Sequence, residues 1–429
     1  MDPLKVLIIG GGVAGPTLAY WLSRIGANIT LIERSPNMRA TGQQVDLRAH
    51  GVPMMQKMGI EAAVRAASVP EAGTQLVDVR GRVKAFFPAE RSGTGMQSFT
   101  SEYEIMRGDL VRILYGLTET RRNVRHLFGA TVDAFTQDDE RDPDGKVHVR
   151  FADGRSEDYD LVVGADGAAS KTRKMMLGPG APDPRFRRGS YIGYFSVPAA
   201  PGDSDRGTFC HLPGRDVSRV VGTRKDRADL TRVYMIMRGK YPPLDAAYQS
   251  GALAELKKAW GDLYQDGGWE CRRFTEALRH APEADDLYCT PFEEVRLPQG
   301  GWSRGRVVLL GDSAYCQTAG GFGCTWSLVG AYVLAGEIAT LRARAGVSRS
   351  EAVIQGAKNY EERFRPLATA GHGGAQIFDY LFLPRSPLGI GLLHACASAA
   401  AYFRLDRKAS METRVASLKL PDYPELEGE

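Results

Sequence analysis

Near the start of the chain, Lys5-Val-Leu-Ile-Ile-Gly-Gly-Gly-Val-Ala-Gly-Pro-Thr-Leu-Ala-Tyr-Trp-Leu runs on into Ala27-Asn-Ile-Thr-Leu-Ile-Glu33. The unbroken apolar run Val6 to Ile9 predicts a strand buried on both faces. Gly10, Gly12 and Gly15 then hold G-x-G-x-x-G spacing. Pro16 stands in the first turn of the predicted helix, where its fixed φ and missing N–H cost nothing. Leu18, Leu22 and Ile25 continue at helical spacing, and Ile29 to Ile32 is a second apolar strand that ends on Glu33. In such a turn one glycine makes the bend. A second lets the backbone approach a pyrophosphate, and a third lets helix and strand pack closely. The helix N-terminus offers unpaired N–H groups to the phosphates, and a terminal acid can take ribose hydroxyls. In this strand–turn–helix–strand setting the pattern is a dinucleotide fingerprint.

The remaining organisation follows from this start. A length of 429 residues predicts two or three domain-sized units. Strands of the buried parallel type are expected at 5–9, 28–32, 160–164 and 306–310. Between the last two lie four alternating runs, Tyr191–Val197, Thr208–Leu212, Ser218–Thr223 and Thr231–Met237, which predict an antiparallel sheet. Thr74 to Phe87 reads as a hairpin around Arg80-Gly-Arg82, and Gly93-Thr-Gly95 as a loop. Val124 to Phe135 and Lys146 to Phe151 read as strands, and Asp109 as the cap of a helix from Leu110 to Thr120. Residues 245 to 281 return to helical spacing, and Thr325 to Ala343 is a further helix. Pro387 to Phe403 is too short and too rich in Ala, Gly and Ser to span a bilayer, and is expected to be a buried helix. The nucleotide domain is therefore expected to be discontinuous, formed by 1–73, 101–180 and 285–375. Residues 74–100 and 181–284 would form the inserted domain, and 376–429 a C-terminal helical segment.

A net charge of +4 with scattered arginines argues against a dedicated nucleic-acid binder. Six cysteines without a C-x-x-C pair suit a reducing compartment, and no signal peptide precedes the first strand. The expected location is cytoplasmic, the expected state a monomer or homodimer. The seven histidines show neither H-x-x-x-H nor H-E-x-x-H spacing, so no metal site is expected. Cys271 and Cys289 near His280 are not read as ligands.

Three further stretches narrow the identity: Asp160-Leu-Val-Val-Gly-Ala-Asp166-Gly167, Gly305-Arg-Val-Val-Leu-Leu-Gly311-Asp312 and Ile105-Met-Arg107-Gly-Asp-Leu110. With the opening motif and in this order, they resemble the group A flavoprotein monooxygenases, the para-hydroxybenzoate hydroxylase-like FAD enzymes. The run Leu328-Val-Gly-Ala-Tyr-Val-Leu-Ala-Gly-Glu337 is similar to the branch of tetracycline-inactivating enzymes and fungal tailoring hydroxylases of secondary metabolism.

The resemblance implies an α/β fold: a Rossmann-like FAD-binding domain of glutathione-reductase type, an inserted antiparallel-sheet substrate domain and C-terminal helices. It implies FAD as cofactor and NAD(P)H as co-substrate, the latter bound in a surface groove because only one fingerprint is present. It places FAD against Gly10, Gly12, Gly15, Glu33, Arg34, Asp46, Arg48, Arg107, Asp166, Gly167, Gly311 and Asp312. The loop Gly320, Gly321, Gly323, Cys324 and Thr325 would meet the flavin pyrimidine edge at a helix N-terminus. The sequence departs from the family at Tyr315, where histidine is common, at Cys324-Thr325, where asparagine is frequent, and in lacking a proline after Gly311-Asp312.

The implied reaction is hydroxylation of an aromatic or polycyclic substrate by O₂ through a flavin C4a-hydroperoxide. Baeyer–Villiger oxidation, epoxidation and a plain FAD-dependent dehydrogenation are the alternatives. No catalytic base is assigned, and Arg219, His211 and Tyr234 are the candidates for a catalytic role. The polar residues of the inserted sheet, Tyr194, His211, Arg219, Arg224 and Tyr234, are the substrate candidates. Strand alternation puts Arg219 and Arg224 on opposite faces, so at most one of them faces a pocket.

Overall fold

The computed structural model describes residues 2–38, 43–68, 71–89, 103–225, 227, 229–318, 321–369, 375–404 and 419–427. Gly320 and the loop Gly93–Gly95 lie outside these.

The first sheet has the spatial order Ser303–Arg304, Val307–Leu309, Leu161–Gly164, Lys5–Ile9, Asn28–Glu33, Val124–Phe128. All pairings are parallel except the first. The apolar runs that predict these strands have side chains on both faces. They stay out of water because the helix Ala14–Arg24, itself packed against the helix Gly323–Arg342, lies beside them and because Val147, Val149 and Phe151 share their core. Trp21 and Tyr332 meet edge-on between those helices, 5.1 Å apart. Gly323–Arg342 is also the one described helix long and apolar enough to cross a membrane, but 89% of its apolar window is buried inside the protein. It is a core helix.

The second sheet runs Tyr288–Val295, Arg185–Pro198, Leu230–Arg238, Ser218–Lys225, Gly207–Leu212, Gly73–Val77, Val83–Pro88. The predicted hairpin is its far edge, joined to Gly207–Leu212 by a parallel pairing. Tyr288–Val295, which the sequence division assigns to the first domain, is hydrogen-bonded into this sheet instead. Alternation sorts its residues. Val221, Val233, Met235 and Met237 meet the helices Pro242–Ser250, Leu253–Tyr264 and Cys271–His280 through Trp260 and Phe274. Ile192, Val220, Tyr234 and Phe292 line the opposite face. That second face abuts the first domain: Arg224 reaches Glu104, and Arg188 donates to the Thr318 carbonyl at 3.0 Å.

Three expectations are corrected. The helix spans Arg107–Glu119, so Asp109 sits in its first turn and pairs with Arg112 rather than capping it. The stretch from Val124 breaks at Gly129 (φ +68°) into Val124–Phe128 and Val132–Gln137. The first piece completes the parallel sheet, and the second begins a three-stranded meander with Val147–Phe151 and Ser156–Tyr159. Finally, the helix Pro387–Tyr402 is not buried. Only Ile390 and His394 are covered, while Leu388 is 88% exposed and Leu392 68%. It lies on the edge strand Val83–Pro88 by one face only, and apolar composition does not report how many faces find a partner.

Candidate active site

The glycine-rich turn is built by close approach. Gly10 has φ +118°, and a Cβ there would come within 2.3 Å of the Ala165 carbonyl oxygen. A Cβ on Gly15 would lie 2.0 Å from the Gly10 oxygen, so the helix can seat on the strand only without one. Gly12 sits where a Cβ would be 3.2 Å from Arg107 Nη2. Two residues 95 positions apart in sequence therefore face each other across the turn. Glu33 is buried. Its Oε2 accepts the Gly11 N–H at 2.9 Å and its Oε1 the Ser35 N–H at 2.9 Å, which fixes the carboxylate beside the turn. The Tyr115 phenol lies over Gly11, and burial together with the charge of Glu33 pushes its pKa up. Arg34 is exposed at the strand end.

Asp166 is taken up locally. It accepts from the Ser170 hydroxyl and from Thr172 N (3.0 Å) and Oγ1 (3.1 Å). It thus holds the first turn of the helix Lys171–Leu177, which leaves Gly167 (φ +83°) to present its backbone. Fully buried Arg173 donates to the Ala168 carbonyl at 2.6 Å and the Ser313 carbonyl at 2.8 Å. It clamps the Asp-Gly turn to the Gly311-Asp312 turn, a link that sequence spacing does not reveal.

Asp312 is accessible to solvent and yet enclosed by protein, as a residue on the floor of a deep cleft is. Burial pushes its carboxyl up, and the nearby Arg107 charge opposes this. Burial lifts the Cys324 thiol to about 12, with Arg107, Asp312 and Asp46 all close enough to act on it. Asp46 pairs with Arg48 at 2.9 Å, and the Thr325 hydroxyl bonds both the Arg48 N–H and its carbonyl at 3.1 Å. Gly311 takes φ +69° with Ala14 beside it. At Gly321 and Gly323 a Cβ would meet nothing within 4 Å, so the backbone there borders open space just where the helix Gly323–Arg342 begins. One cleft therefore gathers Asp46, Arg48, Arg107, Asp312, Gly321, Gly323, Cys324 and Thr325. Glycines are obligatory on its turn side and open on its far side, and a macrodipole points into it, which fits an extended anionic cofactor.

The face of the inserted sheet that abuts the first domain carries aromatic side chains. Tyr194 and Tyr234 meet edge-on at 5.1 Å, and Phe209 stands 6.3 Å from Tyr234. Arg224 belongs to this face. Arg219 does not: it donates to the Leu263 carbonyl at 2.6 Å and the Pro213 carbonyl at 3.0 Å, on the helix-covered side. His211 hydrogen-bonds the Phe382 carbonyl at 3.0 Å and stands 5.6 Å from His394, so it fastens the C-terminal helices to the sheet. Burial lowers its pKa to about 4.

Sequence reasoning missed Glu71, Glu104 and Gln44. Gln44 Nε2 donates to Glu104 Oε2 at 2.7 Å, and Arg224 Nη1 to Glu104 Oε1 at 2.7 Å. An acid leading the otherwise apolar strand Glu104–Met106 was the available signal.

Residues 3–181 match the FAD-binding-domain family. The flavin-dependent monooxygenase eupH of Phoma sp is 44% identical over 432 residues, which cover 99% of this chain and 98% of the relative. The chain belongs to the FAD-dependent monooxygenases. The FAD-dependent monooxygenase asL4 of Sarocladium schorii is 38% identical, over 99% of both chains. Among solved structures, the tetracycline destructase Tet(55) superposes with a TM-score of 0.77 at 26% identity, over 98% of this chain and 99% of that one. Tet(51) does so with a TM-score of 0.72, over 99% and 100%. As a member of this family the chain carries the Rossmann-like FAD-binding domain, and the parallel sheet with its glycine-rich turn is that domain.

Proposed function

We propose that this monooxygenase consumes NAD(P)H and hydroxylates an aromatic or polycyclic substrate of the secondary-metabolite kind. The observation that carries the reading is the shared cleft. The fingerprint turn, Asp312 and the N-terminus of the helix Gly323–Arg342 lie together around Arg107, and the aromatic face of the inserted sheet docks on the same domain through Arg224 and Glu104.

In this reading Gly10, Gly12 and Gly15 bring backbone N–H groups to the pyrophosphate, with Arg107 neutralising its charge. Glu33, held by two backbone donors, meets the adenosine ribose. Asp312 accepts from a ribityl hydroxyl. The backbone at Gly321 and Gly323, with Cys324 and Thr325 behind it, borders the pyrimidine edge, where the helix dipole favours negative charge. Asp46 and Arg48 close the side of the cleft. Held there, FAD would supply hydride acceptance from a nicotinamide nucleotide and activation of O₂, one oxygen atom going to the substrate and the other to water. The protein holds the substrate under the Tyr194–Tyr234 wall and keeps bulk water out. A single fingerprint leaves the nicotinamide nucleotide to a transient surface site.

The test is reduction of the FAD-loaded protein by NAD(P)H without oxygen, followed by an oxygen pulse in the presence of candidate phenols. Substrate-dependent formation of an oxygenated product is expected. Release of hydrogen peroxide alone with every candidate would overturn the reading.

A further inference from the structure

The contact between the aromatic face and the flavin cleft holds an unusual set of charges. Glu104 is 1% exposed and Glu71 2%. Arg224 Nη1 lies 2.7 Å from Glu104 Oε1 and 3.5 Å from Glu71 Oε2. The Gln44 amide donates to Glu104 Oε2 at 2.7 Å. Two buried carboxylates that share one guanidinium repel each other, and burial disfavours a second uncompensated charge, so one of the two holds a proton. The charges around them agree. Asp46 faces the pair from the adjoining strand and is matched by Arg48. Arg224 then remains as the cation for two acids, and one proton makes the group neutral. Burial raises both carboxyls, Glu104 the more, and Arg224 opposes the rise.

A second feature points to a ligand. Tyr234 is 8% exposed, and its hydroxyl has no hydrogen-bond partner among the described residues. It stands on the same sheet face as Arg224, opposite Gly222, with Arg224, Glu71, Glu104 and Arg232 all near enough to act on its charge. A buried hydroxyl left unpaired costs roughly 1–3 kcal/mol. Phe209 covers Gly222 and packs against both residues, its ring 5.9 Å from the Arg224 guanidinium. Tyr194 completes the wall. Donor, cation and proton acceptor thus stand together where this face of the sheet abuts the first domain.

We propose that Arg224, Tyr234 and the Glu71–Glu104 pair bind an acidic hydroxyl of the substrate, a phenol or enol, and accept its proton. The substrate O–H bond breaks and its electron pair stays on the substrate oxygen. A new O–H bond forms on the carboxyl pair, which becomes doubly protonated and neutral. Arg224 and the Tyr234 hydroxyl then hold the substrate anion. Loss of that proton makes the ring or enol electron-rich, the state that electrophilic oxygen transfer needs. This rests on the oxygenase reading above, but the acid–base event precedes oxygen chemistry and is tested without it.

The experiment uses the FAD-loaded full chain with oxidised flavin and no nicotinamide nucleotide. The probe is 4-nitrophenol, whose absorbance separates phenol from phenolate, with 4-nitroanisole as the probe lacking the hydroxyl. At a pH where free 4-nitrophenol is protonated, it is expected to bind as the phenolate and at least about ten-fold more tightly than 4-nitroanisole, a difference of ~1.4 kcal/mol. In the double variant Glu71→Gln/Glu104→Gln no carboxylate is left to take the proton, and the probe is expected to stay protonated. Tyr234→Phe should weaken 4-nitrophenol several-fold and leave 4-nitroanisole and FAD affinity unchanged. That variant carries the test if the double variant does not fold. Infrared difference spectra of the wild type minus the double variant at neutral pH should show a protonated carboxyl band. Probe bound in the neutral form, equal affinity for both probes, no binding, or no such band would each overturn the proposal. All four can occur in an active oxygenase, so its failure is distinct from failure of the proposed function.

Discussion

The strand ends of the parallel sheet and the inner face of the inserted sheet meet at one cleft but are made differently. On the parallel side the working parts are backbone. Gly10 and Gly15 are there because a Cβ would collide with a carbonyl oxygen, and Gly321 and Gly323 leave main chain open to the cleft. On the inserted side the working parts are side chains, Arg224 and Tyr234 of the sheet, which meet Glu71 and Glu104 where the sheet docks on the first domain. A backbone site tolerates almost no substitution but recognises only a common chemical group. A side-chain site can be rebuilt residue by residue, which suits the half of the molecule that selects substrate.

Substitutions can break or sharpen that contrast. The largest effect is expected on the backbone side. Gly15→Val puts a branched side chain where even a Cβ lies 2.0 Å from the Gly10 oxygen. A cost of at least ~3 kcal/mol and loss of FAD binding are expected, read by thermal melting and flavin absorbance. A variant that melts normally and retains flavin would remove the turn from the account.

Next comes acid sensitivity on the inserted side. His211 falls from 6.5 to about 4 because it is buried. A depressed pKa means that stability is fully present above about pH 6.5 and is lost as the pH falls through about 4. At ~1.4 kcal/mol per unit, this one group removes ~3 kcal/mol over that window. Urea titrations between pH 7 and 4 should show the loss in the wild type and a flatter limb in His211→Gln. Identical limbs would mean that His211 is hydrated in the folded protein.

Asp312→Ala should weaken FAD by roughly ten- to a hundred-fold, the value of a hydrogen bond to a charged group. Its melting without FAD should hardly change. Arg224→Met, across the cleft, should leave FAD affinity alone, whereas Arg219→Met should lower the melting temperature through its lost carbonyl contacts without touching the cleft. Similar FAD losses in Asp312→Ala and Arg224→Met would erase the division. The smallest effect is expected at the C-terminal helix. Leu388→Ser, at a position 88% exposed, should stay within ~0.5 kcal/mol of the wild type by chemical denaturation.

The same contrast explains what the sequence reveals. The fingerprint, Asp166-Gly167 and Gly311-Asp312 are contiguous, and their glycines answer to local geometry, so the parallel strands and their order can be read directly. The four central strands of the second sheet are legible by alternation. Its outer strands are less so, because Tyr288–Val295 joins by long-range pairing alone. Glu71, Glu104 and Arg224 come from three separate segments and become a group only when the sheet docks. Arg219 and Arg224 look alike in sequence, and alternation separates them without saying which faces the cleft. Pro387–Tyr402 misleads for another reason: an apolar run predicts a helix, but the number of neighbours it meets is a property of the whole fold.

The most direct test is oxygen consumption by purified protein loaded with FAD and supplied with NAD(P)H and a phenolic compound. Flavin that survives gel filtration, with NAD(P)H oxidation and O₂ uptake at one to one and an oxygen atom recovered in the phenol, is the predicted result. Protein that retains no flavin, or that oxidises NAD(P)H without ever oxygenating a compound, would contradict it.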